Sequence, residues 1–331
     1  MIVLTVRRLD VIVARHGCFG IELKGASLQV LDKQECDRMF HIRVFLIFAG
    51  CMFIFYGTPS VEAQEKPVKN DWKITVNTNY FAMSDIDDDK GKFDVHSGEV
   101  SLKYSHLRIG YQFSNYTWEN KNDLTMGNKQ DDPFDKLHSM YVGFDYDDML
   151  SRQWGYFVFG ALRSSFEEEM SNSFSGILSG GATYVWSRQL QARAGIAIVA
   201  SKPDTKIIPA VGVTWNMAAA EGFKCAVGFP RTELRYVFNP MWAVHSNFSW
   251  DTNTYKLAHD STLMEKGWLD VRNMIVGAYV SITPFEDFVV TFGPEYLFSR
   301  KITVYRENAH KDDAYRVGSS WGLRLKLNYS F

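Results

Sequence analysis

Long apolar runs are scarce in this sequence. Outside one region near residue 50, no stretch approaches the ~20 apolar residues that a membrane-spanning helix needs. Cysteine is also sparse: Cys18, Cys36 and Cys51 lie near the start, and Cys225 stands alone in the remainder, where it cannot form an internal disulfide. Its alternation with Phe223, Val227 and Phe229 reads as a small apolar packing residue. No basic cluster accompanies the formal net charge of −2, which argues against a nucleic-acid partner. Gly-x-Ser-x-Gly, His-Glu-x-x-His and phosphate-cradling loops are all missing. What the chain does have is aromatics, at 15%. Aromatic side chains crowd membrane interfaces, and a membrane protein without apolar helices must close its backbone into a barrel.

The region near residue 50 has the layout of a signal peptide. Residues 39–43 give a short basic start that includes Arg43, residues 44–56 an apolar core, and residues 58–64 a polar exit. Val61, Glu62 and Ala63 offer an imperfect cleavage box. The expected organisation is therefore an over-extended, unstructured start at 1–38 and a signal peptide at 39–63. A periplasmic leader at 64–70 and a barrel at 71–331 follow. A genuine cytoplasmic extension is the alternative for 1–38. Lipoprotein processing at Cys51 is disfavoured because Met52 to Phe55 continue the apolar run.

The last seventeen residues set the pattern for the rest. Tyr315, Val317, Ser319, Trp321, Leu323, Leu325, Leu327, Tyr329 and Phe331 alternate with Arg316, Gly318, Ser320, Gly322, Arg324, Lys326, Asn328 and Ser330. In a strand this makes one apolar face and one polar face. Similar segments recur at 72–81, 95–104, 107–118, 137–146, 154–164, 176–186 and 189–200. They continue at 207–217, 223–229, 232–238, 242–257, 270–282 and 288–300. The spacing predicts an all-β, antiparallel, up-and-down transmembrane β-barrel of about fourteen strands, with twelve as the alternative count. Short connections at 105–106, 147–153, 187–188, 218–222, 239–241 and 283–287 alternate with mostly long polar ones. The exception is the tight link at Pro230 and Arg231 on the long-loop side. Such parity is the outer-membrane arrangement. Trp72, Trp154, Trp186, Trp215 and Trp242 mark the short-turn interface; Tyr80, Trp118, Trp250, Phe298 and Tyr315 mark the other.

The closing strand resembles the terminal strand of bacterial outer-membrane barrels. That resemblance implies an assembly signal at Leu323, Leu325, Leu327, Tyr329 and Phe331, read by the barrel-assembly machinery. A wider resemblance rests on Ile208 to Trp215, Val227 to Arg231, Glu233 to Tyr236 and Gly322 to Phe331. These residues resemble an uncharacterised family of bacterial outer-membrane β-barrel proteins, a domain of unknown function. The family implies fold and location, with no established activity.

Alternation sends Lys73, Glu99, Lys103, Arg108, Arg163, Arg193, Lys224, Glu233, Arg235, Glu295, Arg324 and Lys326 to the lumen, since charge is costly against lipid. They line a pore with a mild preference for anions, or they form a salt-bridged plug helped by inward aromatics of the Tyr111 kind. His245, Asn247, Ser249 and Asp251 share one strand face and invite a hydrolase reading, against which ordinary lumen polarity is the plainer account. Asp85, Asp87, Asp88 and Asp89, and the clusters at 131–132 and 312–313, read as solvated loops and not as a cation site.

The function expected is a small porin-like, non-enzymatic channel for small polar solutes in the outer membrane of a two-membrane bacterium. The alternatives are a closed structural or interaction barrel with surface-binding loops and, third, an outer-membrane lipid hydrolase. No cofactor or metal is expected, and the partners are membrane lipid and the assembly machinery.

Overall fold

Alternating faces, repeated along the chain, fold into one continuous antiparallel ladder. The computed structural model describes residues 11–13, 19–21, 72–87, 91–124 and 126–331. In the unit formed by residues 1–63, Val11–Val13 pairs antiparallel with Phe19–Ile21. The expected signal peptide and leader lie outside the described residues, as do Asp88 and Asp89.

The barrel strands are β1 (Trp72–Asp85), β2 (Lys92–Tyr104), β3 (Leu107–Glu119), β4 (Lys136–Met149), β5 (Trp154–Phe166), β6 (Phe174–Val185) and β7 (Leu190–Ala200). They continue as β8 (Thr205–Trp215), β9 (Gly222–Phe229), β10 (Arg231–Val237), β11 (Trp242–Lys256), β12 (Trp268–Phe285) and β13 (Phe288–Tyr305). The last, β14, runs in two segments, Lys311–Val317 and Ser320–Ser330, both paired with β13. Each strand pairs with its sequence neighbours. Closure comes from β14 on β1, where Arg324 faces Asn79 and Leu327 faces Val76. The fold is a closed fourteen-stranded barrel, so nearly every wall N–H and C=O finds a partner without water.

Parity around the ladder separates the two faces. Ile109, Leu162, Leu178, Ile196, Ile207 and Leu323 stand on the outside at 54–71% exposure, an apolar band with no protein over it. Phe159, by contrast, points inward with Phe157, over whose ring Arg193 lies at 5.7 Å. At the short-turn end, Trp72 stacks on Tyr104 with centroids 4.4 Å apart, and Tyr184 packs between Trp154 and Trp186 at 4.8 Å from each. Trp215 sits 5.9 Å from Phe223, and Trp242 is exposed on the same rim.

Several strands outrun their expected limits at the long-loop end. β1 continues to Asp85, β2 begins at Lys92, β12 begins at Trp268 and β13 continues to Tyr305. Part of the long loop expected at 84–94 and most of that expected at 301–314 are therefore ladder that projects past the apolar band. The physical reason lies inside: Phe93, Ile302 and Val304 are 1–2% exposed and bury their side chains in the barrel mouth, which repays extending the ladder.

Candidate functional site

The lumen is built row by row from the polar face of each strand. Lys73, Lys103 and Arg108 are direct cross-strand partners on β1, β2 and β3. Lys224, Arg235 and His245 are partners on β9, β10 and β11. Lys326 on β14 faces Asn77, which faces Glu99. Arg193 on β7 faces Thr183 and Gly212. Arg163 lies over the Tyr141 ring at 5.6 Å. All of these side chains share the inner face.

Three of the lumen acids are engaged by neighbours. Glu99 accepts the Tyr141 hydroxyl at 2.7 Å, and Asp145 pairs with Lys103 at 3.0 Å. Glu295, fully buried, accepts from Arg324 Nε at 3.0 Å and from the Tyr279 hydroxyl at 2.5 Å. Arg324 also donates to Asn79 at 3.2 Å, and Tyr279 to Asn247 at 3.1 Å. That cluster ties β11, β12, β13, β14 and β1 together from within. Glu233 lies on the same inner face, opposite Asn247.

Above the charged rows the mouth is filled. Leu124, Met126 and Phe134 from the 120–135 connection, with Leu257 and Leu263 from the 257–267 connection, pack against Phe93, Trp118, Leu137, Leu269, Leu297 and Ile302. Trp118 Nε1 donates to the Phe134 carbonyl at 2.6 Å. The Thr262 hydroxyl donates to the carbonyls of Asp132 and Pro133, at 2.5 and 3.1 Å. The cap is anchored to the wall as well: the Glu167 N–H donates to Lys256 O, and the Ala258 N–H donates to the Glu167 carboxylate, each at 2.9 Å. The result is a packed apolar seal over a polar lumen. Sequence periodicity gave no notice of it, although three large apolar side chains in a connection otherwise suited to water were a usable sign.

The remaining candidates fall as follows. Trp118 and Tyr315, expected in the outer girdle, are turned into the cap and are 5% and 8% exposed. Each is placed better by what it packs on than by its height in the strand. Tyr111 faces outward, bonded to His138 at 2.8 Å, so the inward aromatics are Tyr116, Tyr141 and Tyr279 instead. Tyr111 belongs to the same face as Leu107 and Ile109, and strand parity leaves no other choice. His245, Asn247, Ser249 and Asp251 do share the inner face. Ser249 is four residues from His245, about 13 Å along a strand. The serine that His245 does approach is Ser281, at 3.4 Å, and it is 3% exposed and bonded to Thr291 at 2.8 Å. Asp85 pairs with Lys92 at 3.2 Å, and Asp87 accepts the Arg316 N–H at 2.9 Å. Among the described residues no cluster of His, Cys, Asp or Glu is arranged to hold a metal ion. Leu323, Leu325, Tyr329 and Phe331 are exposed on the outer wall, and Leu327 is half-buried there.

One concavity, of about 990 Å³, lies mainly outside the lumen. It is a furrow along the outer wall where Ser246, Ala278 and Pro294 follow one another across β11, β12 and β13, between taller neighbours such as Val244, Val280 and Phe292. Its lining is mostly apolar and outward-facing, with the inner-face residues Arg235, His245, Tyr279 and Arg324 also at its border.

No family model matches the chain, and no curated protein matches it. Among solved structures, the chain is similar to the NanC porin, with TM-score 0.36 and 10% identity over 78% of this chain and 100% of that one. It is similar to the KdgM porin in complex with disordered oligogalacturonate, at 0.32 and 6% over 78% and 99%. It is also similar to the Pseudomonas putida toluene transporter TodX, at 0.31 and 10% over 80% and 90%. The closed barrel itself rests on the pairing of its own strands, β14 on β1 included.

Proposed function

We propose that this barrel is an outer-membrane channel for small polar solutes whose outer mouth is shut by its own connections. The observation that carries the reading is the change of chemistry along the barrel axis. Inward Lys73 and Arg108 are exposed, Asp147 keeps 65% of its side chain accessible, and even inward Phe159 is 39% exposed. A wall that served only to span the bilayer would gain more by filling that space, since unpaired polar groups away from water are costly. The apolar packing is confined to the cap. The short-turn end, with both ends of the ladder, then faces the periplasm. Lipid covers the outer band, and the barrel-assembly machinery reads the strand that ends at Phe331. The reading is non-enzymatic: the serine hydroxyl that the His245 ring approaches, Ser281, is buried and bonded to Thr291.

The cap itself favours a second reading, a sealed barrel whose outer connections bind a surface partner. Single-channel recording in planar bilayers separates the two. The full chain is expected to conduct rarely, and Phe134→Ala with Leu263→Ala is expected to raise the open time at least tenfold. Current at the empty-bilayer baseline in both proteins overturns the channel.

A further inference from the structure

Two rungs of the inner wall carry cations side by side with no acid between them. Lys73, Lys103 and Arg108 make one such rung, and Lys224 and Arg235, with the His245 ring beside them, make the other. Like charges directly opposite one another work against a sheet. A wall selected for shape alone would interleave the signs, as this one does where Arg324 meets Glu295.

The two rungs also act on each other. Lys73 feels the charge of Arg235 as well as that of Arg108 and Lys103. Lys326 feels Lys73, Arg324 and Arg108, and His245 feels Arg235, Lys326 and Arg324. The opposing charges nearby are Glu99, bonded to Tyr141 and also felt by Lys326, and Asp145, paired with Lys103. Glu295 is held by Arg324, and Glu233 stands two residues from Arg235 on the same face. Among the described residues no carboxylate comes within 4 Å of Lys73, Arg108, Lys224, Arg235 or Lys326.

We propose that these rungs form a binding belt for a multivalent oxyanion, a small solute carrying two or more carboxylate or phosphate groups, on its passage through the barrel. Arg108 and Arg235 supply planar forks that match two oxygens at once, and the lysines supply movable point charges. Asn77, Asn79 and Gln112, on the same inner face, add neutral donors. A ligand with several charged groups would relieve the repulsion between neighbouring cations, which a single small anion cannot do at both rungs. The passage rests on the channel reading; the binding does not.

The test therefore begins with binding. Detergent-solubilised full chain is titrated with citrate, and separately with inorganic pyrophosphate, by calorimetry at low ionic strength. Saturable binding of at least one is expected, weakened tenfold or more by Lys73→Gln with Arg235→Gln and unchanged by Lys129→Gln in the outer connection. The better of the two probes tells carboxylate from phosphate. Circular dichroism confirms that the double variant keeps its sheet. No saturable binding of either probe, or binding that ignores the double variant, overturns the belt. The same proteins are then placed in planar bilayers under a KCl gradient. A reversal potential of the anion-selective sign, shifted toward zero in the double variant, supports the belt, and a cation-selective sign overturns it. Absence of any current, in the full chain and in the cap variant, counts against the channel alone, and calorimetry still decides the belt.

Discussion

Lys206 of β8 reaches Asp270 of β12 at 2.7 Å, although β9, β10 and β11 separate the two strands in the ladder. The contact exists because the β9–β10 hairpin is cut short at Pro230. Those strands have 8 and 7 residues, whereas β11 and β12 have 15 and 18. The tall hairpin leans across the low one. Its tip reaches β5, where Lys256 pairs in parallel with Phe166, and Ser165 donates to Asn253 at 3.2 Å. Asp270 also accepts from Thr254 at 3.0 Å and from Arg272 Nε at 2.7 Å.

Breaking that pair should loosen the cap and leave the wall intact. Asp270 is 1% and Lys206 12% exposed, so removing one partner strands a buried charge, a cost of about 3–5 kcal/mol. Lys206→Met should fall below that range, because Arg272 still answers Asp270. Asp270→Ala should reach it, with Lys206 and Arg272 left facing each other. Amide exchange across 250–258 is expected to speed up in both variants, more in Asp270→Ala, with exchange in β2 and β3 unchanged.

The seal is an apolar core and should respond as one. Phe134 is 2% exposed, with its ring 5.2 Å from Trp118 and 4.8 Å from Tyr116. Phe134→Ala should cost the cap about 3–5 kcal/mol. Far-ultraviolet circular dichroism should change little, because the wall below the mouth is paired independently of the cap. Limited proteolysis should cut the variant within 120–135 and leave the parent chain whole there.

Glu167 makes the cap sensitive to pH. Burial pushes its carboxyl above the ordinary 4.5, assisted by Glu168 and Asp135 and opposed by the Ala258 N–H. A docked state that holds its proton more tightly is favoured below pH 4.5, and that contribution is lost as pH rises through the docked-state value. Protection of the Ala258 amide, taken relative to Glu167→Gln at each pH, is thus expected to fall with rising pH from the mid-fours. A flat ratio would show that Glu167 titrates alike in docked and undocked chains.

The wall was legible because lipid imposes a strict rule: apolar and polar residues must alternate, as Leu323, Leu325 and Leu327 do against Arg324 and Lys326. The strands follow from it, although inward Phe157 and Phe159 in β5 depart from the strict alternation. The cap obeys no such rule. Leu124, Phe134 and Leu263 lie in segments without period, and only the folded ladder brings them together. Even the break in parity at Pro230 pointed to something, since a low hairpin among tall ones leaves a notch that its neighbours fill. At Ser299 the backbone takes φ +50°, which shifts the register of β13 and turns Arg300 inward to donate to Asn273 at 3.2 Å. No alternation count over 288–305 would have placed that arginine.

Closure offers the sharpest separation between stability and assembly. Trp72 and Phe331 exchange both backbone hydrogen bonds, N–H to O at 2.8 Å each way, and their rings stack with centroids 6.5 Å apart. Deleting Phe331 removes one rung from a seam that still has nine registered pairs, from Ser330 on Lys73 to Gly322 on Phe81. Each lost net hydrogen bond is worth about 1 kcal/mol and an aromatic contact about as much again. A purified barrel should tolerate that loss, so refolding of the deletion into detergent is expected to give a closed sheet with a slightly lower melting temperature. In cells the same deletion should cut the folded outer-membrane yield severalfold if the terminal aromatic is what the assembly machinery reads. Equal yields in cells would assign Phe331 to the seam alone, and failure to refold in detergent would show that the rung matters more than its bond count.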